Sequence, residues 1–131
     1  MSFSTRDLSI ISSSKISAAN LSEAYRALTS DIRIIGDRVL INTDFGQIAI
    51  DPNPYAESEY DPHILEKIRE TISNPIFYIL RYSTNRAAEE AILCWPSTDG
   101  TLVDNNLGTI EPLSIAIRKI GGGINWIDME A

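Results

Sequence analysis

The sequence predicts an α+β domain built on a mostly antiparallel sheet. Three observations lead there. Short β-branched runs are joined by glycine-containing turns too tight for crossover helices. Between and after them lie segments whose apolar residues recur at helical spacing. The chain has 131 residues, 44% of them hydrophobic, which suits one domain with a core of its own.

Residues 1–17 are rich in serine and read as a mobile arm or a short edge strand through Leu8, Ile10 and Ile11. The domain proper is then 18–131. Asn20 suits a helix N-cap, with Glu23 placed to reach back to it. Leu21, Ala24, Tyr25 and Leu28 form a stripe, which predicts a helix over about 20–29. Ile32–Ile35, Val39–Ile41 and Gln47–Ile50 read as a β-meander, turning at Gly36-Asp37 and Asp44-Phe45-Gly46. Pro52 and Pro54 end it, because proline cannot donate to a ladder.

Residues 51–60 read as a loop. Asp61-Pro62 is a cap followed by proline at the first helical position, and Ile64, Leu65, Ile68 and Ile72 make the buried stripe of a helix near 62–73. Ile76–Leu80 is apolar on both faces, as a central strand is, and runs on to Tyr82. Residues 86–94 look helical, with an Ala91–Trp95 strand as the alternative. A short hairpin is expected around Thr101–Val103. Glu111-Pro112 opens a last helix capped by Gly121, and Ile124–Met129 is read as a closing strand. The sheet is therefore a β-meander plus a central and a C-terminal strand, packed with three to four short helices.

Charge gives the chain its clearest functional signal. The formal net charge is −7. Residues 39–66 hold six acids and no Lys or Arg, and residues 87–117 hold five acids and again no base. Residues 67–86 carry four bases against one acid. This balance disfavours nucleic acid and anionic membrane as direct partners, since both are bound through clustered Lys and Arg. It favours a basic protein. A single cysteine, Cys94, permits no internal disulfide and fits a reducing, cytoplasmic setting. The N-terminus lacks the pattern of a secretory signal, and no apolar run reaches membrane-spanning length.

Candidate catalytic groups are few. His63, the only histidine, sits at a helix start without companion ligands and reads as a surface residue. Cys94, between Leu93 and Trp95, reads as a small buried hydrophobe. Gly121-Gly122-Gly123 follows a helix and is not followed by Lys-Ser/Thr, so it caps rather than cradles phosphate. No cofactor or metal is expected. The loop Tyr55, Glu57, Glu59, Tyr60 and Asp61 is of another kind. Tyrosine offers large contact area at low entropy cost, and acids steer a basic partner. Glu89, Glu90, Asp99 and Asp104 are weaker members of the same predicted surface.

This profile of size, charge and fold resembles the small acidic immunity proteins of bacterial toxin–immunity systems, of the contact-dependent inhibition or type VI kind. The resemblance implies a non-catalytic protein, monomeric or weakly homodimeric when free, that neutralises a cognate basic toxin domain through acidic loops. A small acidic secretion chaperone is the first alternative. A small enzyme with a carboxylate site is the second, and it requires two acids close together in a concave pocket.

Overall fold

Seven strands form one antiparallel sheet in a computed structural model that describes residues 6–130. In chain order the elements are β1 (Arg6–Ser12), α1 (Ala18–Tyr25), β2 (Ile32–Ile35), β3 (Arg38–Thr43), β4 (Gly46–Pro52), α2 (Ala56–Glu59), α3 (Pro62–Thr71), β5 (Ile76–Tyr82), α4 (Asn85–Leu93), β6 (Thr101–Asp104), β7 (Ile110–Pro112) and α5 (Leu113–Gly121). The strand order is β2-β3-β4-β5-β1-β6-β7, with every neighbour antiparallel. The chain is thus a single small α+β domain.

The meander forms as expected. Gly36 takes φ +63, which lets a two-residue turn close β2 onto β3 with Ile35 opposite Arg38. β5 is central, between β4 and β1. Asp61 caps α3 by accepting from the His63 amide at 2.8 Å, and Pro62 opens the helix. Residues 85–93 are helix, capped by the Thr84 hydroxyl on the Ala87 amide.

Other expectations fail, each for a physical reason. Residues 6–12 are neither a mobile arm nor an edge: β1 lies inside the sheet, paired with β5 along its whole length and with β6. Leu8 and Ile10 enter one core and Ile11 the other, so both faces of the strand are covered. Residues 1–5 of the predicted arm lie outside the described residues. Helix α1 starts at Ala18, because the Ser17 hydroxyl caps the Asn20 amide, and it ends at Tyr25 rather than 29. Glu111 and Pro112 belong to β7, so α5 begins one residue later. Gly121 is the last helical residue, and the cap falls on Gly122. The loop 51–60 contains a one-turn helix, α2, that no sequence signal marked.

The C-terminal strand is absent. Residues 124–130 form no strand and hold one turn at 127–128, with Trp126 and Ile127 buried side by side rather than alternating. The Asn105 side-chain amide donates to the carbonyls of Trp126 and Met129, at 3.0 and 2.7 Å. Those acceptors are therefore taken, and Pro112 on the neighbouring edge offers no N–H.

The sheet has two unequal faces. Helices α1, α4 and α5 cover one, over Leu8, Ile10, Val39, Ile50, Leu80 and Val103. Helices α2 and α3 cover only part of the other, where Ala56, Ile68 and Ile72 pack on Ile11, Phe77 and Leu102. No residue of β2, β3 or β4 joins that second core. Each fully buried aliphatic side chain contributes about 1.5–3 kcal/mol, so the two cores hold both helical layers.

Candidate interaction site

The alternation of β1 builds the site. Leu8 and Ile10 point toward the three-helix side, so Asp7 and Ser9 point to the partly covered face. In register, Ser9 lies opposite Ile79 on one side and Asp104 on the other. The chain leaving β4 crosses above them. The Asn53 amide donates to the Phe77 carbonyl at 2.8 Å, and the Asn53 side chain accepts from the Tyr55 amide at 3.2 Å. This turn starts α2, buries Ala56 and brings Glu59 and Tyr60 over the sheet. The result is a groove of about 250 Å³ lined by Asp7, Ser9, Asn53, Glu59, Tyr60 and Asn106, among others.

Tyr60 forms a wall of the groove. Its ring stacks on Phe77 at 5.5 Å between centroids, and its hydroxyl donates to Asp104 Oδ2 at 2.7 Å. Burial, then the Asp104 charge, pushes the phenol well above its usual range, so it stays protonated. The other Asp104 oxygen accepts from the Asn106 amide at 2.8 Å. Asn106 takes φ +63, a conformation asparagine tolerates, and its side chain donates to Asp7 Oδ1 at 2.7 Å. Glu59 receives only a long contact from Asn53, 3.4 Å. Neither Asp7 nor Glu59 has an ion-pair partner among the described residues.

The nine predicted residues divide. Glu59, Tyr60 and Asp104 come together at this groove. Tyr55, in the chain between the groove residues Asn53 and Ala56, does not line it and is 74% exposed. Glu57 pairs with Arg69 at 3.0 Å on the surface, and Asp61 is engaged as a helix cap. Glu89 and Glu90 lie on α4, across the sheet, where Glu90 pairs with Arg86. Asp99 precedes the far end of β6, away from Asp104. The two acidic segments therefore do not make one continuous surface. Sequence reasoning missed Asp7, Ser9 and Asn106. The signal for the first two was present, since they alternate with Leu8 and Ile10.

Other chemistry is sparse. Among the described residues, no group of three or more His, Cys, Asp or Glu is placed to hold a metal ion. Cys94 is half-buried at the end of α4, and burial, then Glu90, pushes its thiol up, away from nucleophilic character. Among the described residues no helix is long and apolar enough to cross a membrane.

The fold and groove define a small α+β domain with a polar, acid-lined cleft on the partly covered face of its sheet. No family model, curated protein or solved structure matches the chain.

Proposed function

We propose that this chain is a non-catalytic, immunity-type protein that binds a basic toxin domain at the α2 groove. The observation that carries this reading is Tyr55, a large aromatic side chain 74% exposed on the turn whose Asn53 and Ala56 line the groove that also holds the Asp7 and Glu59 carboxylates. An aromatic anchor next to unpaired acids suits a partner that presents Lys or Arg around an apolar pocket. Tyr60 and Asp104 support the platform from below, rather than reaching the partner. Glu89, Glu90 and Asp99 add long-range attraction without contact.

The test is a titration against a candidate cognate toxin domain of basic, nuclease type. A 1:1 complex is expected. Tyr55→Ala should weaken it at least about tenfold, as loss of an interface hot spot does. Asp7→Asn with Glu59→Gln should slow association and flatten its salt dependence. Unchanged affinity and on-rate in both variants would overturn the reading.

One observation favours a second reading. Asp7 and Glu59 line a common concave groove with Tyr60, as a small carboxylate enzyme would require. On that reading, Asp7→Asn abolishes turnover of a substrate seated in the groove and leaves association with a toxin domain untouched. The chaperone alternative draws on the exposed edge strand β2, where Ile34 and Ile35 are 47% and 58% exposed. It requires a homodimer, which light scattering resolves.

A further inference from the structure

The half of the second sheet face left bare by α2 and α3 carries the opposite charge. In register, Arg33 on β2 faces Leu40 on β3, Leu40 faces Ala49 on β4, and Ala49 faces Arg81 on β5. This row has guanidiniums at both ends and an apolar floor between them. Arg38 joins from the next row, and Gln47 closes one wall. Together they enclose about 350 Å³. That is the size of a small-molecule site. Ala49 gives the pocket its depth, because a larger residue at the centre of the row would fill it.

The pocket's charge is not internally neutralised. Asp51 serves both Arg81, at 3.0 Å, and Arg38, at 3.4 Å. Asp31 accepts from the Asn42 side chain at 3.2 Å. Arg33 has no carboxylate partner among the described residues. Three guanidiniums thus meet two carboxylates on one face of a chain whose net charge is −7. A surplus of cations kept on a strongly acidic protein, above an apolar floor, is complementary to one kind of occupant.

We infer that this pocket binds a small amphiphilic anion: a compact apolar or aromatic body lying on Leu40 and Ala49 toward Arg81, with a carboxylate or phosphate held by Arg33 at the other end of the row. Arginine suits this role because its planar fork meets a carboxylate or phosphate through two parallel hydrogen bonds and its face stacks on flat apolar groups. The Gln47 amide offers a donor and an acceptor to polar substituents on the body. The site lies on a different stretch of the sheet from the α2 groove, and the inference does not depend on the toxin-binding reading.

The probes are 2-naphthoate, 2-naphthyl phosphate, the neutral 2-naphthamide and inorganic phosphate, titrated into the full chain and followed by NMR at backbone amides and arginine Nε–Hε groups. Saturable shifts at Leu40, Ala49, Arg33 and Arg81 are expected with one or both aromatic anions, and which of the two binds tighter identifies the headgroup. The neutral amide and free phosphate should bind at least about tenfold more weakly, a difference worth about 1.4 kcal/mol. Arg33→Gln should weaken the aromatic anion by a similar factor, and Ala49→Leu should abolish its binding. The same spectra report whether each variant is folded, and Arg33→Lys, which keeps the charge but not the fork, should restore only part of the affinity. The inference is overturned if no aromatic anion gives saturable shifts at these residues. Equal binding of the neutral amide, or affinity unchanged in folded Arg33→Gln or Ala49→Leu, overturns it as well.

Discussion

The Tyr60 hydroxyl and the Asp104 carboxylate, 44 positions apart in sequence, meet at 2.7 Å. Sequence patterning assigns them to separate acidic loops. In the fold they form one unit that ties the α2–α3 junction to β6, with Phe77 packed against the tyrosine ring.

Replacing Tyr60 with Phe removes this hydrogen bond and keeps the ring. A hydrogen bond to a charged group contributes about 1.5–3 kcal/mol, so Tyr60→Phe should lower the unfolding free energy by that order, seen as a lower urea midpoint with an unchanged slope. Tyr55→Ala, at an exposed position, should change stability by no more than about 0.5 kcal/mol. Equal stability of Tyr60→Phe and wild type would mean that the bond contributes nothing.

The same tyrosine gives a test in alkali. Its folded pKa is raised above the unfolded value of about 10. A raised pKa gives stability that is fully present below the unfolded value and is lost as pH rises toward the folded one. The stability advantage of wild type over Tyr60→Phe should therefore shrink above about pH 10, measured by urea unfolding along a pH series. An advantage that stays constant or grows in that range would contradict the assignment.

Asp128 gives the opposite sign. The Asn85 side chain, with Arg6 and Asn125, holds its carboxyl below the usual range. A lowered pKa gives stability that is present above the unfolded value and is lost as pH falls through the folded one. Asp128→Asn should thus lower Tm at neutral pH. The difference from wild type should narrow progressively below about pH 4. Melting curves across the acid range check both parts.

Gly46 and Gly36 should respond differently to substitution. Gly46 sits at φ +143, and a Cβ there would come within 2.6 Å of the Ser83 hydroxyl and 2.8 Å of the Thr84 hydroxyl. Gly46→Ala should cost about 1–3 kcal/mol, the range for a residue forced into a sparsely populated conformation. Gly36 has φ +63 and open space around it, so Gly36→Asn should be close to neutral, as asparagine adopts that conformation readily. Chemical denaturation of both variants decides the contrast.

How far the fold could be read from the sequence follows from the range of each signal. The meander, α3 and α4 were legible because their signals are local: Gly36-Asp37, Asp61-Pro62, and apolar spacing within a few residues. β5 announced its central place by being apolar on both faces. β1 did not, because its serines resemble a tail and its partners lie far along the chain. The closing segment misled because Trp126 and Ile127 are buried by a side-chain clamp from Asn105, which no periodicity reports. At the site, Glu59 and Tyr60 were found from composition. Asp7 was missed because its place in the groove depends on pairing across the sheet.

The interior position of β1 also bears on how the protein acquires its shape. β1 is made before either of its partners and is one of the last strands that can be satisfied, since both neighbours come from the second half of the sequence. During synthesis the segment must wait unpaired, with Leu8, Ile10 and Ile11 open to solvent or to a chaperone. Its pairing closes long loops, and contacts of that kind are slow to form. The meander of β2 to β4 can pair with β5 without β1, whereas β6 and β7 join the sheet only through β1, so its insertion is the step that unites the two parts of the sheet.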